Sequence, residues 1–136
     1  MNVLIVEDDP ANADWMAGMM THWQHRAERA ASGLEALNRL GRSPFDLILL
    51  DIFLPDSQGD ELIPQIRARC PGGHIVTMTG LSTRELEIRV RKQGIAYYMI
   101  KPFDLKHLKA IVDHIAKKKI FDERNGSINE NKRRFG

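Results

Sequence analysis

Four short, mostly apolar runs of this 136-residue chain end on residues that could do chemistry. Val3-Leu4-Ile5-Val6 leads into Glu7-Asp8-Asp9, and Leu47-Ile48-Leu49-Leu50 leads into Asp51. A third run ends in Thr79 followed by Gly80, and a fourth in Lys101-Pro102. Carboxylates brought together repel one another strongly unless a cation neutralises them. Mg²⁺ suits that role, since it takes one or two carboxylates, keeps several waters and coordinates a phosphate. Lys101 supplies a compact positive charge and Thr79 a hydroxyl donor, while Gly80 leaves room for a phosphate to approach the backbone. With a metal, these are the parts that hold the spread charge of a phosphoryl group in transfer. No Ser, Cys or His ends a run in a nucleophile position, so the candidate nucleophile is a carboxylate and the product a phosphorylated Asp.

These residues can meet only if the runs lie side by side. The first run is β-branched and too short for a helix, and it reads as a strand. Asp9-Pro10 then reads as the N-cap and first residue of a helix carrying Trp15, Met16, Met19, Met20 and Trp23 at core spacing. A weaker strand covers 26–30, and Ser32 with Glu35 forms a capping box opening a short helix over Gly33–Leu40. The second strong strand covers 45–50, bounded by Pro44, Pro55 and Gly59. A helix is expected over 60–69; Pro64 removes a backbone donor inside it, which predicts a late start or a distorted first turn. A strand over His74–Thr79 follows Gly72-Gly73, and Ser82 with Glu85 reads as a second capping box. Gly94 ends that helix, 95–100 reads as a fifth strand, and Asp104 caps a last helix with the stripe Leu105, Leu108, Ile111, Val112 and Ile115.

Five strands, each followed by a helix, imply an α/β fold with a doubly wound five-stranded parallel sheet. The order 2-1-3-4-5, flavodoxin-like (βα)₅, is the common one at this size. Ligands of such sheets bind beyond the carboxyl ends of the strands. All four chemical motifs fall on that rim.

The sequence resembles a response-regulator receiver domain of two-component signalling. The resemblance covers roughly residues 1–118 and joins the apolar run into Glu7-Asp8, Asp51 after its own run, Leu54-Pro55 with Gly59, Thr79-Gly80, and Lys101-Pro102-Phe103. It implies that Asp51 accepts a phosphoryl group from the phosphohistidine of a sensor histidine kinase or a phosphotransfer protein. It implies Mg²⁺ held directly by Asp8 and Asp51, by Glu7 through water, and by the Phe53 backbone carbonyl. Lys101 and Thr79, with Gly80 beside them, would contact the phosphoryl oxygens, and the Lys101-Pro102 bond would be cis. Tyr98 matches the aromatic that turns inward when Thr79 moves; strand parity favours it over Tyr97, because it shares a face with Ile100 rather than with Lys101. Phe53 and Leu81 stand where other members often carry polar side chains, and would cover the phosphoryl group from water. The implied output is a downstream protein effector reading the last strand and the helices flanking it, a surface that also suits a homodimer.

The resemblance implies a regulatory domain that is not itself an enzyme on a separate substrate, and composition is that of an ordinary soluble globule. Hydrophobic residues make up 43% of the chain and charged residues 28%, enough to build a core without a disulfide or metal staple. Cys70 is the single cysteine, no apolar run can span a bilayer, and the N-terminus lacks signal-peptide features, so a cytoplasmic protein with no membrane partner is expected. The net charge of +2 first suggests an acidic partner. Yet the segment from Lys117 onward holds seven basic residues against three acidic ones, which leaves the rest of the chain slightly acidic. The expected division is a receiver domain over 1–119 and a flexible basic tail or linker over 120–136, with Lys117–119 closing a helix and no direct nucleic-acid contact. Three rivals are weaker. A haloacid-dehalogenase-type phosphohydrolase places its nucleophile after the first strand. A flavodoxin-like cofactor binder needs a loop less acidic than Glu7-Asp8-Asp9. A pseudo-receiver, acting without phosphorylation, usually lacks an acid, the Lys or the Thr.

Overall fold

The structure, a computed structural model, describes the backbone of residues 1–135 and the side chains of residues 1–125. Strands and helices alternate: β1 (Asn2–Val6), α1 (Pro10–His22), β2 (Arg26–Ala30), α2 (Gly33–Leu40), β3 (Leu47–Asp51), α3 (Gly59–Arg69), β4 (His74–Thr79), α4 (Arg84–Arg91), β5 (Tyr97–Ile100) and α5 (Leu105–Phe135). The strands form one parallel sheet in the order β2-β1-β3-β4-β5. β1 and β3 are central and buried on both faces, which is why their sequences are unbroken apolar runs rather than alternating ones. β2 lies at an edge, and Arg26, Glu28 and Arg29 are exposed there. Register brings the strand ends level: Val6 pairs with Leu50, Asp51 with Met78, and Thr79 with Ile100.

Residues Met1–Phe103 form one compact unit, and a second begins at Asp104. Within the first unit, Leu4, Val6, Ile48 and Leu50 join Leu62, Ile63 and Ile66 of α3 and Leu86 and Val90 of α4 in a single core. Val3, Ile5, Leu47 and Leu49 alternate to the opposite face and are equally buried, and α1 contributes Met16 and Met20 to the buried set. Trp15 does not follow them into the core. It is 42% exposed and lies against Phe103, with ring centroids 6.3 Å apart.

The helix starts follow their caps. Asp9 accepts from Ala11 N with Pro10 first in α1, Ser32 accepts from Glu35 N, and Asp104 accepts from His107 N. α3 starts earlier than expected, at Gly59, and carries Pro64 inside it. Its first turn is fixed from outside, because Gly59 N donates to Ile52 O at 2.7 Å. A Cβ at Gly59 would stand 2.8 Å from Ile52 Cα, so only glycine permits that approach. α4 is capped one residue later than the expected box: Thr83 Oγ1 accepts from Leu86 N at 3.1 Å, and Ser82 turns elsewhere. β5 is shorter than 95–100, and β3 takes in Asp51 itself.

The last helix overruns its expected end near Lys119. Backbone helix continues through 120–125, where a flexible tail was expected, so Lys117–119 lie inside a helix rather than closing it. No proline interrupts this stretch, and Lys119 pairs with Glu123 one turn on, at 3.8 Å. The tail's Lys132, Arg133 and Arg134 side chains, and Gly136, lie outside the described residues. Among the described residues, no helix is long and apolar enough to cross a membrane.

Candidate functional site

β1, β3 and the residue after β5 deliver three charges to one point. Lys101 Nζ donates to Glu7 Oε1 and Oε2 at 3.1 and 2.9 Å, and to Asp51 Oδ2 at 2.9 Å. The second Asp51 oxygen, Oδ1, accepts from Phe53 N at 3.0 Å. Glu7 and Asp51 are buried and Asp8 is exposed, yet one ligand oxygen of each lies within 4.8 Å of the others. Asp9 is not in this group; its side chain caps α1. Burial, aided by the hydrogen bond to Asp51, pushes the Glu7 carboxyl up to about 7, against the pull of Lys101. Burial also draws the Lys101 ammonium down, but its bonds to Asp51 and Glu7 outweigh this and hold it above its ordinary value. One lysine therefore neutralises a crowded acid cluster only in part. The donor set, three carboxylates with one of them exposed, fits a hard divalent cation.

β4 and β5 contribute the rest. Thr79 is fully buried, and its Oγ1 donates to Leu81 O and accepts from Leu81 N, both at 3.1 Å. Lys101 N donates to Thr79 O at 2.7 Å, which fixes the lysine beside the threonine. At Gly80 a Cβ would meet nothing within 4 Å, so the space beside Thr79 is open. The Lys101-Pro102 bond is cis. Tyr98 is buried and Tyr97 only half-buried. The Tyr98 hydroxyl is 2.8 Å from Ser82 Oγ, and the Arg91 guanidinium stands 5.6 Å from its ring centroid. Phe53 and Leu81 are both exposed, at 42% and 73%.

Three features carry little or no signal in the sequence. Asn12 Nδ2 donates to Glu7 Oε1 at 3.4 Å; its only mark is a polar residue in the first turn after the acids. Asp56, in the loop after β3, accepts from the Gly33 and Leu34 N–H groups at 2.8 and 3.0 Å, a contact across 22 to 23 residues that no local pattern announces. Trp15, Pro102 and Phe103 line a cavity of about 320 Å³ that opens beside Lys101.

Comparison with known proteins agrees with this geometry. The sequence profile of the response regulator receiver domain matches residues 3–113. The transcriptional regulatory protein ZraR of Klebsiella oxytoca is 30% identical over 108 residues, covering 79% of this chain and 24% of that protein. The transcriptional regulatory protein MalR of Bacillus subtilis is 32% identical over 134 residues, covering 96% of this chain and 57% of that protein. The chain thus spans about a quarter of the first relative's length and somewhat over half of the second's. Among solved structures, a two-component response regulator from Clostridium difficile matches with a TM-score of 0.83 at 28% identity, covering 88% of this chain and 98% of that one. A CheY-like receiver domain protein from Methanospirillum hungatei matches with a TM-score of 0.77 at 30% identity, covering 86% and 97%. The matched residues run from the strand that delivers Glu7 through those that deliver Asp51 and Lys101, and the chain belongs to the response regulator receiver domain family.

Proposed function

We propose that Asp51 accepts a phosphoryl group from the phosphohistidine of a sensor histidine kinase or a phosphotransfer protein, in a reaction that needs Mg²⁺. The observation that carries this is the buried Asp51 carboxylate, held by Lys101 Nζ at 2.9 Å, with Glu7 and Asp8 oxygens beside it. Asp51 attacks phosphorus, the N–P bond of the phosphohistidine breaks, and its electron pair stays on the imidazole. Asp8 and Asp51, Glu7 through water, and the Phe53 carbonyl are the groups that would hold the metal. When bound, Mg²⁺ supplies positive charge against the carboxylates and the phosphoryl oxygens. Lys101 holds Asp51 through its ammonium at 2.9 Å, then carries its charge to a phosphoryl oxygen. Thr79 exchanges its bond to Leu81 O for one to the phosphoryl group, and Gly80 leaves the approach open.

Thr79 and Tyr98 form the switch in this reading, and the surface near β5 with the neighbouring helices is the output, read by a downstream protein effector or a second copy of the chain. The same side chains assist loss of the phosphoryl group to water, so the chain acts on itself rather than on a separate substrate. The cytoplasm is the compartment this reading implies. The expectation of no nucleic-acid contact is withdrawn for the whole protein, since the chain covers only part of relatives named transcriptional regulatory proteins.

Incubation with acetyl phosphate, with and without Mg²⁺, followed by intact mass measurement, tests the proposal. A phosphoryl mass gain that requires Mg²⁺ and is absent from Asp51→Asn is expected. No gain in the wild-type chain would overturn it in favour of a phosphorylation-independent interaction module.

A further inference from the structure

We infer that Asp56 is a positioning residue for the metal: by bonding the start of α2 it fixes the loop after β3, and with it the Phe53 carbonyl proposed above as a ligand. The loop doubles back on itself. Gly59 N donates to Ile52 O at 2.7 Å and Leu54 N to Ser57 O at 3.2 Å, and Phe53 lies opposite Gln58 between these two rungs. Phe53 N is committed to Asp51 Oδ1 at 3.0 Å. Neither rung uses the Phe53 carbonyl, so the loop is held while that oxygen stays available to a cation. The turn closing the loop, Leu54-Pro55-Asp56-Ser57, is anchored from outside. Asp56 Oδ1 accepts from Gly33 N at 2.8 Å and Oδ2 from Leu34 N at 3.0 Å. Ser32 Oγ takes the next N–H, that of Glu35, at 3.1 Å, so α2 begins with one local cap and one distant one. A Cβ at Gly33 would stand 3.3 Å from Asp56 Oδ1 and run into Ser57 Oγ, so the loop lies as close to α2 as a glycine permits.

The consequence follows from what each bond restrains. A turn held only by its own two rungs can pivot about them, whereas a carboxylate bonded to two amides of a second element removes that freedom. Both bonds are charge-assisted, the stronger and shorter kind. Mg²⁺ demands near-ideal octahedral geometry, so a carbonyl that wanders weakens its binding. Groups bonded directly to a metal ligand change metal affinity by roughly 10- to 100-fold. Asp56 acts through the backbone of the turn, and a smaller effect of about three- to ten-fold is expected.

This inference rests on the metal site proposed above. The test titrates the full chain with Mn²⁺, an oxygen-seeking stand-in for Mg²⁺, and follows the free ion by electron paramagnetic resonance. Binding at the site is the part lost in Asp8→Asn. Asp56→Ala is expected to raise the Kd about three- to ten-fold, and Asp56→Asn, which keeps one oxygen acceptor, to fall between it and wild type. Ser32→Ala separates positioning from stability, because it removes a cap of the same helix without touching Asp56. It should lower the thermal midpoint and leave the Kd at the wild-type value. A wild-type Kd in Asp56→Ala, or an equal loss of affinity in Ser32→Ala, would overturn the inference. Amide hydrogen exchange of the metal-free chain, read by NMR at Phe53 and Leu54, should be faster in Asp56→Ala and unchanged in Ser32→Ala; unchanged exchange in Asp56→Ala counts against the tether. A wild-type chain that takes no Mn²⁺ would refute the metal site and the positioning role with it, whereas the exchange result would still decide whether Asp56 holds the loop.

Discussion

At the residue scale, the site is a problem of charge crowding solved by one lysine and left open to a metal. Glu7 and Asp51 share Lys101, and the Glu7 carboxyl is pushed up to about 7 because burial and Asp51 together outweigh that single cation. Each of these residues was legible in sequence, because each ends a run that must be a strand. Ser82 was misread, since Ser82 with Glu85 and Thr83 with Leu86 N describe the same cap one residue apart. Phe53 raises a separate expectation. It follows Asp51 by two residues, it is apolar, and its N–H already rests on Asp51 Oδ1. Phe53→Asn replaces an apolar side chain with one that can hydrogen-bond water near a phosphoryl group on Asp51. Loss of phosphate from the purified phosphorylated chain is expected to become several-fold faster, on the order of the 1 kcal/mol that one positioned hydrogen bond contributes. Equal or slower loss would reject a covering role for this side chain.

At the element scale, the strands were easier to read than the helices. β1 and β3 are buried on both faces, and that demand writes itself into the chain as uninterrupted Val, Leu and Ile. Helix ends depend on partners distant in sequence, as α2 shows. Its Ser32 cap is local, but two of its free N–H groups point at Asp56 in the loop after β3. The Leu34 and Gly33 N–H groups hold the Asp56 carboxyl below its ordinary value of 3.8. A carboxylate with a depressed folded-state pKa stabilises the fold above its unfolded value and loses that contribution as pH falls through the folded one. Thermal unfolding should therefore show wild type more stable than Asp56→Asn at neutral pH, with the gap closing only below pH 3.8. A gap that is constant from neutral pH down to well below that value would mean that the carboxylate charge is not what holds α2.

At the scale of the whole molecule, the five-stranded order was legible because right-handed crossovers leave few arrangements for alternating strands and helices. The end of α5 was not. Helix persistence past Lys119 depends on side-chain pairs such as Lys119 with Glu123, each worth only a few tenths of a kcal/mol, and a polar composition alone does not reveal them. We propose that residues 1–119 remain the receiver unit and that 120–136 extend from it. A chain ending at Lys119 should then unfold in one cooperative step within about 3 °C of the longer chain, as expected when only exposed surface is removed. It should also take up phosphate from acetyl phosphate at the same rate. A broad transition or lost phosphorylation would place part of the receiver beyond Lys119. The sheet itself has two unlike margins, for β2 shows Arg26, Glu28 and Arg29 to solvent, while β5 ends in a half-exposed Ile100. Charged margins resist strand addition. The charges along β2 therefore work against a further strand adding to the sheet on that side.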